Sequence, residues 1–249
     1  MLARPAPRTP RPRVSAPMAP VAIVEKCVEV RIAGTMVCAL PDGALWLEAA
    51  RALVVSDLHF EKGSAFAMRG QMLPPYDTRA TLARVARLVA EHQPDIVVSL
   101  GDSFHDGGGP ARMAETERKL LQELISCTDW VWVEGNHDGR APEILGGAVR
   151  DVLHIGPLVL RHEPTGAPGE IAGHLHPCAK VAGRGRSVRR RCFATDGQCL
   201  VMPAFGAYTG GLNVCDDAFA PIFPDGVTAL VLGKDRVLPA PYARLLPDA

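Results

Sequence analysis

Five polar segments of the chain carry side chains of the types that bind divalent metal ions. Each follows a short, largely apolar run of the kind expected in a buried strand. The segments are Asp57-Leu58-His59, Gly101-Asp102, Gly135-Asn136-His137-Asp138, His162 and Gly173-His174-Leu175-His176. Carboxylate and amide oxygens, together with imidazole nitrogens, suit divalent metal ions. The candidate metal ligands are Asp57, His59, Asp102, Asn136, His162, His174 and His176.

The order and number of these motifs favour a metal site with two ions. Each motif is weak alone, because short dipeptides arise by chance and a lone histidine such as His162 is usually structural. Their joint occurrence, each after an apolar strand, reverses that balance. The carboxylate of Asp102 can bridge two ions, and Gly101 allows close backbone approach beside it. His174 and His176 are expected to bind from a turn or to address two different ions.

The surrounding sequence predicts an α/β domain that brings these strand ends together. Strands are predicted at 52–56, 96–100, 130–134, 149–154, 157–161, 170–172, 188–194, 198–202 and 228–232, and helices at 78–92 and 111–127. The carboxyl ends of parallel strands meet along one crevice edge. Asp57 and His59 can reach one ion if the chain bends just after its strand. The scarcity of helix beyond residue 149 indicates a second sheet packed against the first.

Composition excludes several classes of protein. The 27 Lys and Arg residues balance 27 Asp and Glu residues, so no global charge favours nucleic acid or a membrane as partner. No apolar run approaches the roughly 18 residues that a membrane span requires. Seven scattered cysteines without a CxxC pair predict neither a disulfide framework nor a thiolate zinc site. A cytoplasmic location is therefore expected.

The domain boundaries follow from the amino-terminal composition. Residues 1–20 are rich in Arg and Pro and contain no acidic residue, which predicts a disordered tail. An unstructured extension or a misplaced start is favoured over a nucleic-acid-binding arm. Residues 21–249 are expected to form a single domain.

The five motifs resemble, in type and order, the DxH, GD, GNH(D/E), H and GHxH pattern of the calcineurin-like metallophosphoesterase superfamily. The resemblance implies an α/β fold of two facing mixed β-sheets flanked by helices, in a four-layer sandwich. It also implies that Asp102 bridges two divalent ions. By the same resemblance, one ion is bound by Asp57, His59 and His176, and the other is bound by Asn136, His162 and His174. Manganese is the ion that the resemblance favours, with iron and zinc as alternatives.

The same resemblance suggests a mechanism for phosphoester hydrolysis. Two cations lower the pKa of a water between them and stabilise charge on phosphoryl oxygens. His137, which is not a ligand in the family pattern, is expected to stabilise the transition state or to protonate the leaving oxygen. Asp138 is expected either to hold the ring of His137 or to cap a helix, and the sequence does not choose between these roles.

Longer stretches resemble one bacterial subgroup, the ligase-associated DNA damage response endonucleases of the PdeM type. These stretches cover residues 57–78, 100–106, 170–177, 185–193 and 202–214. The resemblance implies a phosphodiesterase or endonuclease that acts on single-stranded or damaged DNA during repair, with a DNA ligase and a helicase as partners. The alternatives are an enzyme acting on small phosphodiesters or phosphomonoesters, and a non-catalytic scaffold of the same fold.

A basic segment after His176 agrees with a DNA substrate. It contains Lys180, Arg184, Arg186, Arg189, Arg190 and Arg191. Such a segment can track a phosphate backbone, although a solvated hairpin is the alternative. By position, Lys62 and Tyr76 are also expected to line the substrate groove. The candidate substrate-binding residues are Arg69, His105, Arg186, Arg189 and Arg190.

Overall fold

Two β-sheets packed face to face form the centre of the protein. The computed structural model describes residues 27–138, 145–183 and 186–248. The first sheet contains, in spatial and chain order, β1 (Val28–Ile32), β2 (Thr35–Ala39), β3 (Leu45–Leu47), β4 (Ala52–Ser56), β5 (Ile96–Leu100), β6 (Asp129–Val133) and β7 (Ala148–Arg150). Its first four strands are antiparallel neighbours, whereas β4 to β7 are parallel neighbours.

The second sheet is also mixed. Its strands are β8 (Val152–Ile155), β9 (Leu158–Arg161), β10 (Glu170–Ala172), β11 (Cys178–Ala182), β12 (Ser187–Thr195), β13 (Leu200–Val201), β14 (Thr228–Leu232), β15 (Val237–Pro241) and β16 (Leu245–Leu246). The spatial order is β15-β14-β12-β13-β10-β9-β8, and β11 pairs with both β12 and β16. The parallel pair β9 and β10 lies inside this sheet.

The helices pack on the outer face of the first sheet. They are α1 (Lys62–Met68), α2 (Asp77–His92), α3 (Gly109–Arg112) and α4 (Glu115–Cys127). Because side chains alternate along a strand, Leu53 and Val55 of β4 pack among helix residues, while Val54 packs among residues of the second sheet. Both faces of β4 are therefore covered, and all five of its residues are buried.

A third apolar cluster lies on the second sheet and completes the layers. Phe219, Ile222 and Phe223 from the segment after β13 pack with Ala194 of β12 and Ala229 of β14. In the described part of the chain this outer layer contains a short 3-10 helix, Asp217–Phe219, and no α-helix. The expected arrangement of two facing mixed sheets is confirmed, with the α-helices concentrated on one side.

Two predicted elements divide in the structure. The strand expected at 149–154 becomes β7 and β8, which belong to different sheets, so the chain crosses between sheets at Asp151. The helix expected at 111–127 is interrupted before Glu115, because Ala114 adopts an extended conformation. Arg118 donates to the carbonyls of Pro110 and Met113, each at 3.1 Å, and so satisfies acceptors at the break.

One prediction from the cysteines is wrong. Cys27 and Cys38 form a disulfide with their Cα atoms 5.8 Å apart. The two residues meet because β1 and β2 pair in antiparallel register, with Glu29 opposite Cys38. An odd number of scattered cysteines carries no information about such a local cross-strand contact.

The predicted tail at 1–20 lies outside the described residues. None of the described helices is long and apolar enough to cross a lipid bilayer.

Candidate metal centre

The candidate ligands converge where the two sheets meet. Asp57, Asp102 and Asn136 follow the parallel strands β4, β5 and β6, while His162 follows β9 of the facing sheet. The amide of His174, after β10, donates to Asp57 Oδ2 at 3.1 Å and thereby joins the two sheets at the site. The convergence predicted from strand ends is therefore present in the fold.

Two overlapping groups of side chains have the geometry to hold metal ions. One contains Asp57, His59 and His176, and the other contains Asp57, Asp102 and His162; within each group the ligand atoms lie within 4.8 Å of one another. Asp57 Oδ1 lies 3.0 Å from His176 Nε2. Asp102 Oδ1 lies 3.4 Å from His162 Nε2. The structure thus brings five of the predicted ligands into two adjoining clusters.

The two remaining candidates lie beside the second group. His174 Nδ1 is 3.2 Å from His162 Nε2, whereas His59 Nε2 is 3.4 Å from His176 Nε2. His174 and His176 therefore contact different clusters, which is one of the two arrangements expected from their spacing. Asn136 is exposed at the edge of the site, and its amide nitrogen donates to Glu163 Oε1 at 2.7 Å.

Asp57 and Asp102 differ in how their oxygens are engaged. Asp57 Oδ2 accepts hydrogen bonds from the Ser56 hydroxyl and the His174 amide. The same amide also donates to Oδ1 at 3.3 Å, and Oδ1 faces His176 and His162. Asp102 presents one oxygen to each side, because Oδ1 faces His162 at 3.4 Å and Oδ2 faces His59 at 3.8 Å. Proximity alone makes Asp57 the carboxylate common to both groups, whereas oxygen orientation fits Asp102 as a bridge. A carboxylate whose two oxygens face different clusters is suited to contact an ion in each of them.

The backbone of the ligand loops is strained. Positive φ angles occur at Asp57 (51°), His59 (43°), Asp102 (44°), His174 (70°) and His176 (48°). Each such angle costs on the order of 1–3 kcal/mol for a residue with a β-carbon, and such angles cluster at functional sites. They also explain how ligands separated by two positions reach one site, because neither DxH nor GHxH remains an extended strand.

Two glycines let the loops approach closely. A β-carbon at Gly101, which has a φ of 69°, would overlap the ring of His162. A β-carbon at Gly173 would overlap the Ser56 hydroxyl and would lie 2.5 Å from Asp57 Oδ2. The close packing of the ligand loops therefore depends on the missing side chains at these positions.

The charge states of His59 and Asp102 suit metal binding. Burial lowers the pKa of His59 to about 4, so its ring is neutral at neutral pH. Burial alone would raise the pKa of Asp102, but His162 and the amide of His137 hold this pKa at about 2. Neutral imidazoles and ionised carboxylates are the forms that bind metals. His59 Nδ1 and His162 Nδ1 are buried without a hydrogen-bond partner in the described structure, so polar atoms of the cluster remain free.

The predicted proton-handling residues lie beside the ligands. The His137 side chain is 51% exposed, and its Nε2 lies 3.9 Å from Asp102 Oδ2. The ring of His105 stacks against that of His137 with centroids 6.1 Å apart, and both rings lie 5.9 Å from that of His59. These exposed or half-exposed histidines mark the open side of the cluster.

Asp138, expected either to hold the ring of His137 or to cap a helix, accepts hydrogen bonds from two backbone amides. Its Oδ1 accepts from the Phe104 amide at 3.1 Å, and its Oδ2 accepts from the Gly135 amide at 2.9 Å. Oδ1 thus ties the loop after β6 to the loop after β5, whereas Oδ2 holds the loop after β6 to itself. The burial that accompanies these contacts raises the pKa of Asp138 to about 6. The alternative helix cap involves residues 139–144, which lie outside the described structure.

The basic residues after His176 separate into half-buried and exposed members. Arg191 is directed inward and donates to the carbonyls of Ala204, Gly206, Ala207 and Thr209. Arg186 and Arg190 are exposed, and Arg189 forms an ion pair with Asp248 at 3.2 Å. Arg184 lies outside the described residues.

A second basic region lies on the α1 side of the centre. Burial lowers the pKa of His105, and the charges of Lys62 and Arg69 add to this effect. Arg69 and Tyr76 are exposed, and Phe66 places its ring 5.6 Å from that of His105. The candidate substrate residues Arg69 and His105 therefore lie on the same side of the cluster as His137.

Some residues of the site carried no usable sequence signal. The contacts of Ser56, Glu163 and Arg191 join segments that are distant along the chain or depend on a particular side-chain direction. Of these three, Arg191 alone belongs to a sequence pattern, the basic run after His176. Long-range contacts of this type are not visible in residue spacing.

Comparison with known proteins identifies the family. Residues 50–185 match the model of the calcineurin-like phosphoesterase family. The chain therefore belongs to the calcineurin-like phosphoesterases, which are metal-dependent hydrolases. No curated protein sequence matches this chain.

Among solved structures, the crystal structure of Pseudomonas putida nuclease MPE is 31% identical to this chain, with a TM-score of 0.68, and the match covers 86% of this chain and 100% of that chain. The E. coli phosphoesterase Yfce is 16% identical, with a TM-score of 0.39, over 77% of this chain and 98% of that chain.

Proposed function

We propose that this protein is a binuclear metal-dependent phosphodiesterase that cleaves DNA. The observation that carries the proposal is the pair of adjoining ligand groups, Asp57-His59-His176 and Asp57-Asp102-His162, between the two sheets. The similarity to a nuclease over nearly the whole chain supports DNA as the substrate. A role in DNA repair, with a ligase and a helicase as partners in the cytoplasm, is part of the same proposal.

The seven candidate ligands would divide between two ions. Asp57, His59 and His176 would hold one ion, Asn136, His162 and His174 would hold the other, and Asp102 would serve both. The mixture of oxygen and nitrogen donors suits manganese, iron or zinc, and we favour manganese. Bound ions supply an activated water and stabilise the charge on the phosphoryl oxygens.

The protein groups around the ions position the scissile phosphate and handle protons. His137 is exposed on the open side of the cluster, so its ring can reach a bound phosphoester and protonate the leaving oxygen. His105, stacked on His137, lies where it can contact the leaving group. Asp138 supports this arrangement indirectly, through the backbone of both ligand loops.

The DNA backbone contacts two basic regions. Arg69, with Lys62 nearby, lies on the side of His105. Arg186, Arg189 and Arg190 belong to the hairpin of β11 and β12, whose outer half is exposed. Arg189 is tied to the metal loop, because it donates to the Gly211 carbonyl at 2.7 Å and a β-carbon at Gly211 would overlap the His176 carbonyl.

A nuclease assay with chosen metals tests the proposal. The protein, freed of metal and then supplied with Mn²⁺, Fe²⁺ or Zn²⁺, is given single-stranded, nicked and duplex DNA, a small phosphodiester and a small phosphomonoester. We expect metal-dependent cleavage of DNA and of the phosphodiester, and Asp102→Asn to be inactive. Hydrolysis of the monoester alone would assign the protein to the small-substrate alternative. Absence of bound metal would favour a non-catalytic scaffold.

A further inference from the structure

The side chain of Asn136 is held in one orientation by a carboxylate. Its Nδ2 donates to Glu163 Oε1 at 2.7 Å. An ionised carboxylate only accepts hydrogen bonds, and the NH₂ group of an amide only donates them. The nitrogen of Asn136 therefore faces Glu163, and the carbonyl oxygen faces away from it. Because an amide binds a divalent metal through oxygen, this is the orientation that a ligand requires.

Asn136 needs such a constraint more than the other candidate ligands do. Asp57, His59, Asp102 and His162 are buried, whereas Asn136 is exposed. In the described part of the chain, the contact with Glu163 is the one hydrogen bond that the Asn136 side chain makes. Without it, rotation of the exposed amide by 180° would present the nitrogen in place of the oxygen.

The position of Glu163 suits it to this task. It directly follows the candidate ligand His162 at the end of β9, while Asn136 follows β6 of the other sheet. The hydrogen bond thus joins ligand loops from two sheets. Both residues line an open cavity of about 490 Å³, with Glu134, Gly135, Asp151, Arg161 and His162 as its other lining residues.

We propose that Glu163 is a positioning residue, which fixes Asn136 so that its carbonyl oxygen is available to a metal ion. This ion, called the second ion below, is the one assigned to Asn136, His162 and His174. The inference rests on the proposed function, because it assigns Asn136 as a ligand. Groups that orient a metal ligand in this way typically contribute roughly 10–100-fold to metal affinity. Glu163 acts through Asn136 and does not need to contact the substrate.

Two substitutions separate orientation from charge. Glu163→Ala removes the acceptor and leaves the amide free to rotate. Glu163→Gln keeps an oxygen acceptor but adds an NH₂ donor, so it can stabilise either orientation of Asn136. The affinity for the second ion should therefore fall in the order wild type, Glu163→Gln, Glu163→Ala. The matched control is Glu134→Ala, which removes an exposed carboxylate that lines the same cavity and does not bond Asn136.

The measurement is calorimetric titration of the metal-free, full-length proteins with Mn²⁺, checked by the metal content of the dialysed proteins. For Glu163→Ala we expect the second binding step to weaken by roughly 10–100-fold, with the first step unchanged. Glu134→Ala should retain both steps. Circular dichroism verifies that each variant is folded.

Each other outcome has a definite meaning. Two unchanged binding steps in Glu163→Ala would overturn the positioning role and leave the proposed function intact. An equal loss in Glu134→Ala would also overturn it, because the charge of the cavity would then be the cause. Fewer than two ions bound by the wild-type protein would instead contradict the binuclear function and remove the ligand role of Asn136.

Discussion

Arg191 donates from Nη2 to the carbonyl oxygen of Gly206 at 2.7 Å. The amide of Gly206 in turn donates to the carbonyl of Asp57 at 3.1 Å, so the arginine supports a candidate ligand through one intervening residue. A member of the basic run that suggested DNA binding is thus part of the internal framework of the metal centre.

Replacement of Arg191 should therefore destabilise the protein. Arg191→Ala leaves several carbonyls of residues 204–209 without their donor, and we expect a loss of roughly 3 kcal/mol in the free energy of unfolding. Arg191→Lys should lose less but should not restore the wild-type value, because one ammonium cannot reproduce the planar fork of a guanidinium. Chemical denaturation measures both. Arg190→Ala is the control, since the exposed Arg190 side chain donates a hydrogen bond to the neighbouring carbonyl of Arg189 and supports none of the carbonyls of residues 204–209 in the described structure. Equal losses at both positions would contradict the role of Arg191.

Metal binding should stabilise the fold. The ligand loops contain residues that are buried and charged or that have a strained backbone. Bound cations offset the free-energy cost of these features. At a free Mn²⁺ concentration of 100 times the dissociation constant, ligand linkage predicts a gain of about 2.7 kcal/mol per site, and a chelator should reverse it. Thermal melts with and without Mn²⁺ test this expectation. A melting temperature that does not respond to Mn²⁺ or to a chelator would argue against a folded-state metal site.

Asp102 and His137 should have separable effects. Asp102→Asn removes the negative charge of a side chain proposed to serve both ions, so it should abolish hydrolysis and the stabilisation by Mn²⁺. His137→Ala should lower turnover by roughly 10²–10⁴-fold while the bound metal remains, because the role proposed for His137 is in proton transfer or transition-state stabilisation. Metal analysis and steady-state kinetics on the same preparations distinguish the two. Full activity of Asp102→Asn is incompatible with the proposed mechanism.

Gly173→Ala should disrupt the site without any change in a ligand. The added methyl group would overlap the Ser56 hydroxyl, which donates to Asp57, and would displace that carboxylate. We expect a marked loss of Mn²⁺ affinity in a calorimetric titration. The control is Gly210→Ala, because a β-carbon at Gly210 meets no atom within 4 Å. Wild-type metal affinity in Gly173→Ala would mean that the ligand loops are not packed as closely as described.

DNA affinity should respond in opposite directions to changes at Arg189 and Asp248. Arg189→Ala should reduce by about one the slope of log affinity against log salt, as expected for the loss of one phosphate contact. Asp248→Asn removes the carboxylate that pairs with Arg189 and should strengthen DNA binding. Binding is measured by fluorescence anisotropy in the Asp102→Asn background, which prevents cleavage. Arg236→Ala, a change at an exposed arginine paired with Asp235, is the control; if it matched Arg189→Ala, the effect would be one of total charge.

The sequence by itself determined the types of the candidate ligands, their order and their placement after apolar strands. These properties are local, because a polar residue just after a buried strand must emerge at the edge of the sheet. The strands at 52–56, 96–100 and 170–172 were correctly predicted for the same reason. The two-sheet architecture followed from the change in pattern near residue 149.

Only the tertiary structure decided how the loops meet across the two sheets. The inward direction of Arg191, the contact of Glu163 with Asn136 and the two amide contacts of Asp138 all depend on the approach of distant segments. So does the crossing at Asp151 that divides one predicted strand between the sheets. Spacing along the chain indicates which residues follow the same strand. The partner that each side chain contacts depends instead on packing between strands and loops that are far apart in sequence.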